Sequence, residues 1–159
     1  MERPYLMKRP ERTSWTGTPR REEGQGLLEM MVGTVFLVII VLILFEMGML
    51  FYTYIVLLNA SREGSVFASL HPDLAPGSED YEEFLTVTSQ EAIAAGLDPA
   101  YFEILPPETP QGTEPLKPIQ VTVRYQLVNP THGIILPFVG RFGLFQQATI
   151  MARTEMPIR

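Results

Sequence analysis

No cysteine occurs among the 159 residues, which excludes both a disulfide scaffold and a thiolate metal site. Histidine is nearly absent too: His71 and His132 stand alone, and neither has a metal-ligand spacing such as HExxH. The chain has no GxSxG nucleophile turn and no phosphate loop. Paired acids such as Glu82 and Glu83 stand at a helix start, where a solvated face is the ordinary role. Neither enzymatic activity nor a metal or cofactor is expected. Positive charge is in deficit, with a formal net charge of −6, so no general affinity for nucleic acid is expected.

Charge is scarcest from Leu27 to Phe45, LLEMMVGTVFLVIIVLILF, where Glu29 is the only ionisable side chain. At the helical rise these residues span roughly 28 Å, close to a bilayer hydrocarbon core of about 30 Å. The apolar character continues through Leu58, and Tyr52 and Tyr54 suit an interfacial aromatic belt, so the span is expected at about residues 27–52. A secretory signal peptide would be shorter and would end in a small-residue cleavage site, and none follows this run. Residues 1–24 carry six Lys/Arg against four acids, a balance of +2, whereas residues 59–159 have a balance of −6. The basic flank argues for a single pass through the cytoplasmic (inner) membrane, N-in and C-out.

The helix does not stop with the apolar run. Asn59–Ser69 contains one glycine, and no proline intervenes before Pro72. Val56, Ala60, Glu63 or Gly64, and Phe67 recur at helical spacing, with Asn59, Arg62 and Ser65 on other faces. The spacing predicts one helix from Gly26 to about Ser69, lipid-facing first and amphipathic after. Three segments follow: 1–24, a basic cytoplasmic leader; 25–70, the long helix; and 71–159, an extracytoplasmic domain.

In that domain Pro72–Gly77 reads as a loop, and Ser78 as the cap of a helix with Glu79, Asp80, Glu82 and Glu83 at its positive end. Phe84, Leu85, Val87, Ala92 and Ile93 form its apolar stripe, and Gly96 its stop. Residues 101–105 read as a short strand, and the proline-rich residues 106–118 as a loop. Ile119–Val128 alternates strictly, with Ile119, Val121, Val123, Tyr125 and Leu127 on one face, the mark of a half-buried strand. Asn129-Pro130 breaks it. Residues 134–144 are apolar but interrupted by Pro137, Gly140 and Gly143, and resist assignment to one element. Residues 145–155 close the chain as a second strand. The expected fold is α+β: a long N-terminal transmembrane and amphipathic helix, with a small helix and a two- to three-stranded antiparallel sheet on its emergent half.

The junction Gly24-Gln25-Gly26-Leu27-Leu28-Glu29 has two readings. A membrane peptidase that admits an extended backbone into a narrow site needs a residue without a side chain before the scissile bond. Gly24 meets that need, and cleavage before Gln25 puts Glu29 at mature position five. Cleavage after Gly26 is a lesser option. Alternatively the glycines are a flexible lead-in and Glu29 complements the helix dipole. Glu46 is equally two-sided: an intramembrane carboxylate paired with a partner subunit, or a side chain snorkelling at the far interface. Gly33 and Gly48 would permit close helix packing but lack GxxxG spacing. Arg62 and Glu63 mark either a solvated helix surface or a device that orients the outer domain.

These pieces stand in register. Gly24-Gln25-Gly26-Leu27-Leu28-Glu29, then Glu46 with Gly48, then Asn59-Ala60-Ser61-Arg62-Glu63-Gly64 resemble the TadE-like proteins, the pilin-like family of tight-adherence pilus systems. Met47 stands where the family usually has phenylalanine, and Met30 where an aromatic is common. The resemblance covers roughly residues 24–68, with a looser likeness of Ala148–Glu155 to the family's last strand. It implies a minor pilin or assembly factor, processed by a prepilin peptidase at Gly24, Gln25 and Glu29. The implied partners are companion minor pilins, the pilus platform and fibre subunits, with contacts at Glu46, Gly48, Asn59, Arg62 and Glu63. It also allows incorporation into an extracellular pilus. Two alternatives stay open: an unprocessed single-pass membrane-anchored binding module, and a minor pseudopilin of a type II secretion or competence system.

Overall fold

A computed structural model describes residues 20–110, 112–136 and 140–159, with side chains from Gly24 onward. The leader assigned to residues 1–24 therefore lies largely outside the described residues. Helix α1 (Arg20–Leu70) is followed by α2 (Tyr81–Ala94), a 3-10 turn (Pro99–Tyr101) and five strands. The strands are β1 (Phe102–Ile104), β2 (Pro118–Val128), β3 (Ile134–Leu136), β4 (Gly140–Phe142) and β5 (Gln147–Pro157). The architecture is α+β, as the sequence predicts. The chain divides within α1 into two units, the first ending at Leu37 and the second running Val38–Arg159.

In the first unit the helix from Gly24 to Leu37 is almost wholly exposed, and from Leu27 onward most of its side chains are large and apolar. Gln25, Glu29 and Thr34 are its polar residues, and the Thr34 hydroxyl donates to the Met30 carbonyl at 2.8 Å, so that donor is not left open in the apolar run. Unbranched and branched aliphatics without proline sustain the helix, and every backbone group is satisfied within it.

The second unit is built on a three-stranded antiparallel sheet in the order β1-β2-β5. β2 and β5 pair along their full lengths, from Pro118 opposite Pro157 to Val128 opposite Gln147. The alternation in β2 buries Ile119, Val121, Val123, Tyr125 and Leu127, all five at 7% exposure or less. They meet Val56, Leu57, Ala60 and Ala68 of α1, Phe84 and Ala92 of α2, and Ile158 in one core. Burying each of the larger aliphatic and aromatic side chains in this core contributes about 1.5–3 kcal/mol.

The face of α1 against the sheet is built from small residues. Ala60, Gly64 and Ala68 form one i,i+4 row, and Ser61, Ser65 and Ser69 the adjacent row; all are buried. A Cβ on Gly64 would sit 2.6 Å from Thr88 Oγ1 and 3.2 Å from Val121 Cγ1, so the close approach requires glycine there. The serines need partners in this dry layer. Ser61 Oγ lies 2.7 Å from Thr154 Oγ1, and Ser65 Oγ bonds the Ser61 carbonyl at 2.7 Å and reaches the Thr154 carbonyl at 3.2 Å. Ser65 is thus on the core face, not on the other face where its polarity had placed it. Residue polarity misled here because a serine can bond its own helix and still face a sheet.

Further differences concern α2 and the span. The helix starts at Tyr81 with Asp80 as its N-cap residue, and Ser78 sits in the preceding turn, where its hydroxyl accepts from Ala75 N–H. Ile93 is exposed, while Thr88, absent from the predicted stripe, is fully buried with its hydroxyl on the Phe84 carbonyl. Gly96 does end the helix, through N–H bonds from Gly96 to Ile93 and from Leu97 to Ala92. Met49 and Leu50 pack against the core and Thr53 is buried, so one side of α1 is already protein-covered within the expected span of 27–52. Tyr52 donates to the Ala95 carbonyl at 3.1 Å.

Candidate functional site

Glu46 is the next ionisable side chain after Glu29, and it ends the apolar run. It is also 1% exposed. A carboxylate so placed requires donors, because an unpaired buried charge is prohibitively costly. The donors come from the segment between β2 and β5 that the sequence left unassigned. Asn129 Nδ2 donates to Oε1 at 3.0 Å, the Thr131 hydroxyl donates to the same oxygen, and Leu144 N–H donates to Oε2 at 3.0 Å. All three are donors and an ionised carboxylate is acceptor-only, so the set is chemically matched.

Each donor is aimed by its own local structure. Asn129 sits where β2 ends before Pro130; its Oδ1 accepts from Thr131 N–H at 3.0 Å, an Asx turn. The remaining bond from Asn129 Nδ2 goes to the Phe145 carbonyl at 2.9 Å, which ties the two ends of the segment together. Gly143, at φ +140°, turns the chain so that the next N–H points at Glu46, a conformation that side chains rarely adopt. β3 and β4 form a two-stranded hairpin between these anchors, Ile134 opposite Phe142 and Leu136 opposite Gly140. The interruptions at Gly140 and Gly143 thus mark the start of β4 and the exit from the pair, while Pro137 lies outside the described residues.

The other residues singled out from the sequence fall into two groups. Asn59 joins Glu46 as an internal contact: its Nδ2 donates to Glu91 Oε1 of α2 at 3.0 Å, at an exposed position. Gly48, Arg62 and Glu63 are exposed on α1. A Cβ on Gly48 would meet nothing within 4 Å. The ion pairs among the described residues include neither Arg62 nor Glu63. Gly24, Gln25 and Glu29 are exposed on the first unit's helix, and a Cβ on Gly24 would also meet open space. The structure therefore offers Glu46 a role that neither sequence reading contained: holding the chain's own outer segment to the helix. The missing residues, Asn129, Thr131 and Leu144, had one usable signal, the Asn-Pro-Thr turn directly after a strong strand.

The stretch from Gly24 to Ser65, which holds the junction, the apolar run, Glu46 and the first part of the small-residue face, matches the family model described as TadE-like protein over residues 24–65, roughly a quarter of the chain. No curated protein and no solved structure matches the chain. TadE-like proteins are a pilus-associated structural and assembly family, and the match points to involvement in a tight-adherence pilus. Among the described residues one helix, Gly24–Leu70, is long and apolar enough to cross a membrane, and no residue of its most apolar window is buried. Together these point to membrane association and to pilus partners.

Proposed function

We propose that this protein is a minor pilin-like component or assembly factor of a tight-adherence pilus, made as a precursor and held in the cytoplasmic membrane. The observation that carries the reading is co-linearity along α1. A Gly-Gln-x-x-x-Glu start, an exposed apolar run and a sheet-covered second half follow one another inside a single TadE-like segment. In this reading the span is about residues 27–45, shorter than 27–52, because Glu46 and the residues after it are engaged by the protein. Residues 71–159 are the outer domain, and its size separates this subunit from the very short major subunit of such pili.

A prepilin peptidase would cut between Gly24 and Gln25. Those residues lie in the first turns of α1, so the backbone has to open locally to reach an extended form. Gly24 and Gly26 make that cheap, since each weakens a helix by about 1 kcal/mol relative to alanine. The new ammonium at Gln25 would stand four residues before Glu29, on the same helical face, and this or a neighbour's ammonium is the partner a lipid-level carboxylate needs. Exposed Gly48, Arg62 and Glu63 remain free to meet companion minor pilins, the platform or the fibre.

Deletion of the gene should abolish tight-adherence pili and leave protein secretion and DNA uptake intact. Complementation with the wild-type chain should restore the pili, and complementation with Gly24→Arg should not. Loss of secretion or DNA uptake with normal piliation would favour the type II or competence pseudopilin reading instead.

A further inference from the structure

The hairpin β3–β4 is unusually apolar for an exposed element, and it is fastened at one level of α1. Thr131 before it and Leu144 after it both bond Glu46, the residue that follows the uncharged stretch from Met30 to Phe45. Within the hairpin Ile134 lies opposite Phe142, which is buried, whereas Ile135 lies opposite Arg141, and both of these are exposed. Residues directly opposite on an antiparallel pair share a face, so the outer face presents an isoleucine beside a guanidinium. Ile135 is 74% exposed and Leu144 57%, and neighbouring Phe45 on α1 is 53% exposed.

Charge along the chain points the same way. The outer part is acidic, yet from Pro115 to Thr154 there is no Asp or Glu, while Lys117, Arg124, Arg141 and Arg153 are present. Among these, Arg141 is the cation that stands on the hairpin itself. Apolar side chains at the level where a spanning helix emerges, with an exposed arginine among them and the adjoining acid, Glu46, buried beneath its donors, match a phospholipid surface in both polarity and charge.

We propose that the β3–β4 hairpin is a lipid-contacting element: Ile135 and Leu144 enter the bilayer surface beside the emerging α1, and Arg141 meets lipid phosphate. This rests on the membrane-span reading of α1. Glu46 is then the tie that holds the hairpin against the bilayer, which explains why a carboxylate is built into this level and supplied with three donors of its own chain.

The absence of cysteine makes single labels unambiguous. The full chain, carrying Ile135→Cys, Phe36→Cys or Leu116→Cys, would be spin-labelled and reconstituted in phosphatidylcholine–phosphatidylglycerol vesicles. Collision with oxygen reports lipid, and collision with a water-soluble nickel chelate reports solvent. Leu116 is an exposed apolar control at the other end of the unit, where Leu116 N–H bonds Ile158 and Arg159 N–H bonds the Ser69 carbonyl. That is about 35 Å along α1 from Glu46 by helix rise. The expected result is oxygen-dominated collision at 36 and 135 and nickel-dominated collision at 116, with Arg141→Glu shifting 135 toward nickel. Position 135 behaving like 116 while 36 stays in lipid would overturn the hairpin proposal and leave the span intact. Shielding of 135 from both reagents would also overturn it, in favour of a protein neighbour. Nickel access at 36 would instead remove the span, and the proposal with it.

Discussion

From Leu27 to Phe45 the side chains of α1 are large, apolar and mostly exposed, while from Glu46 to Ser69 one side of the same helix carries Thr53, Ala60, Ser61, Gly64, Ser65 and Ala68, all buried. Both stretches are continuous helix without proline, so backbone propensity does not distinguish them. What differs is the solvent each surface is made for. A bilayer is satisfied by bulk hydrocarbon on every side, with no need for shape. A sheet packed on a helix demands shape, and small residues in two i,i+4 rows provide it by letting β2 and β5 come close. Polar atoms follow the same division: Thr34 closes its hydroxyl on its own helix, whereas Ser61, Ser65 and Glu46 reach across to the sheet and its loops.

That contrast can be broken from the packed half first. Glu46→Leu would leave the Asn129 amide and the Leu144 N–H facing an apolar side chain, and should destabilise the Val38–Arg159 unit by about 3 kcal/mol. Glu46→Gln, which keeps acceptor oxygen but no charge, should cost roughly half as much. Chemical denaturation of the full chain in micelles, followed by near-ultraviolet circular dichroism, measures both. Gly64→Ala should cost about 2 kcal/mol in the same assay, because its Cβ collides with Thr88 and Val121. Much of that loss should return in a Thr88→Ala background, and additive losses would mean that Thr88 is not the obstruction.

Smaller effects sharpen the division. Ser65→Ala removes one buried hydroxyl with carbonyl partners on α1 and β5, and should cost about 1 kcal/mol. Phe36→Leu, in the exposed half, should change stability by less than about 0.5 kcal/mol in micelles, since hydrocarbon surrounds either side chain. A loss at Phe36 as large as that at Gly64 would contradict the two-solvent account.

Legibility in the sequence followed how local the physics is. The long helix was readable from Gly26 to about Ser69 because composition and the lack of proline act residue by residue, whereas its earlier start at Arg20 was not. β2 was readable because a period of two over Ile119–Leu127 has no helical interpretation. The start of α2 was displaced because Ser78 has the composition of a cap, whereas the N-cap position falls to Asp80, whose side chain makes no capping hydrogen bond. The role of Glu46 was hidden because its partners lie at least 83 residues away, on a segment without period. Ser61 and Ser65 were concealed by their polarity, although their spacing with Ser69 already traced a helix face. At the junction, Gly24 and Glu29 look alike in any exposed helix, and only their register with Glu46 and Asn59–Gly64 gives them meaning.

The most direct test of the proposal as a whole is the N-terminus of the protein taken from membranes of its own host. Intact mass and N-terminal sequencing should show a chain beginning at Gln25, and Gly24→Arg should leave the longer form in its place. Membrane or pilus material in which Met1 is retained would contradict processing at Gly24 and, with it, the reading of this chain as a pilin-like precursor.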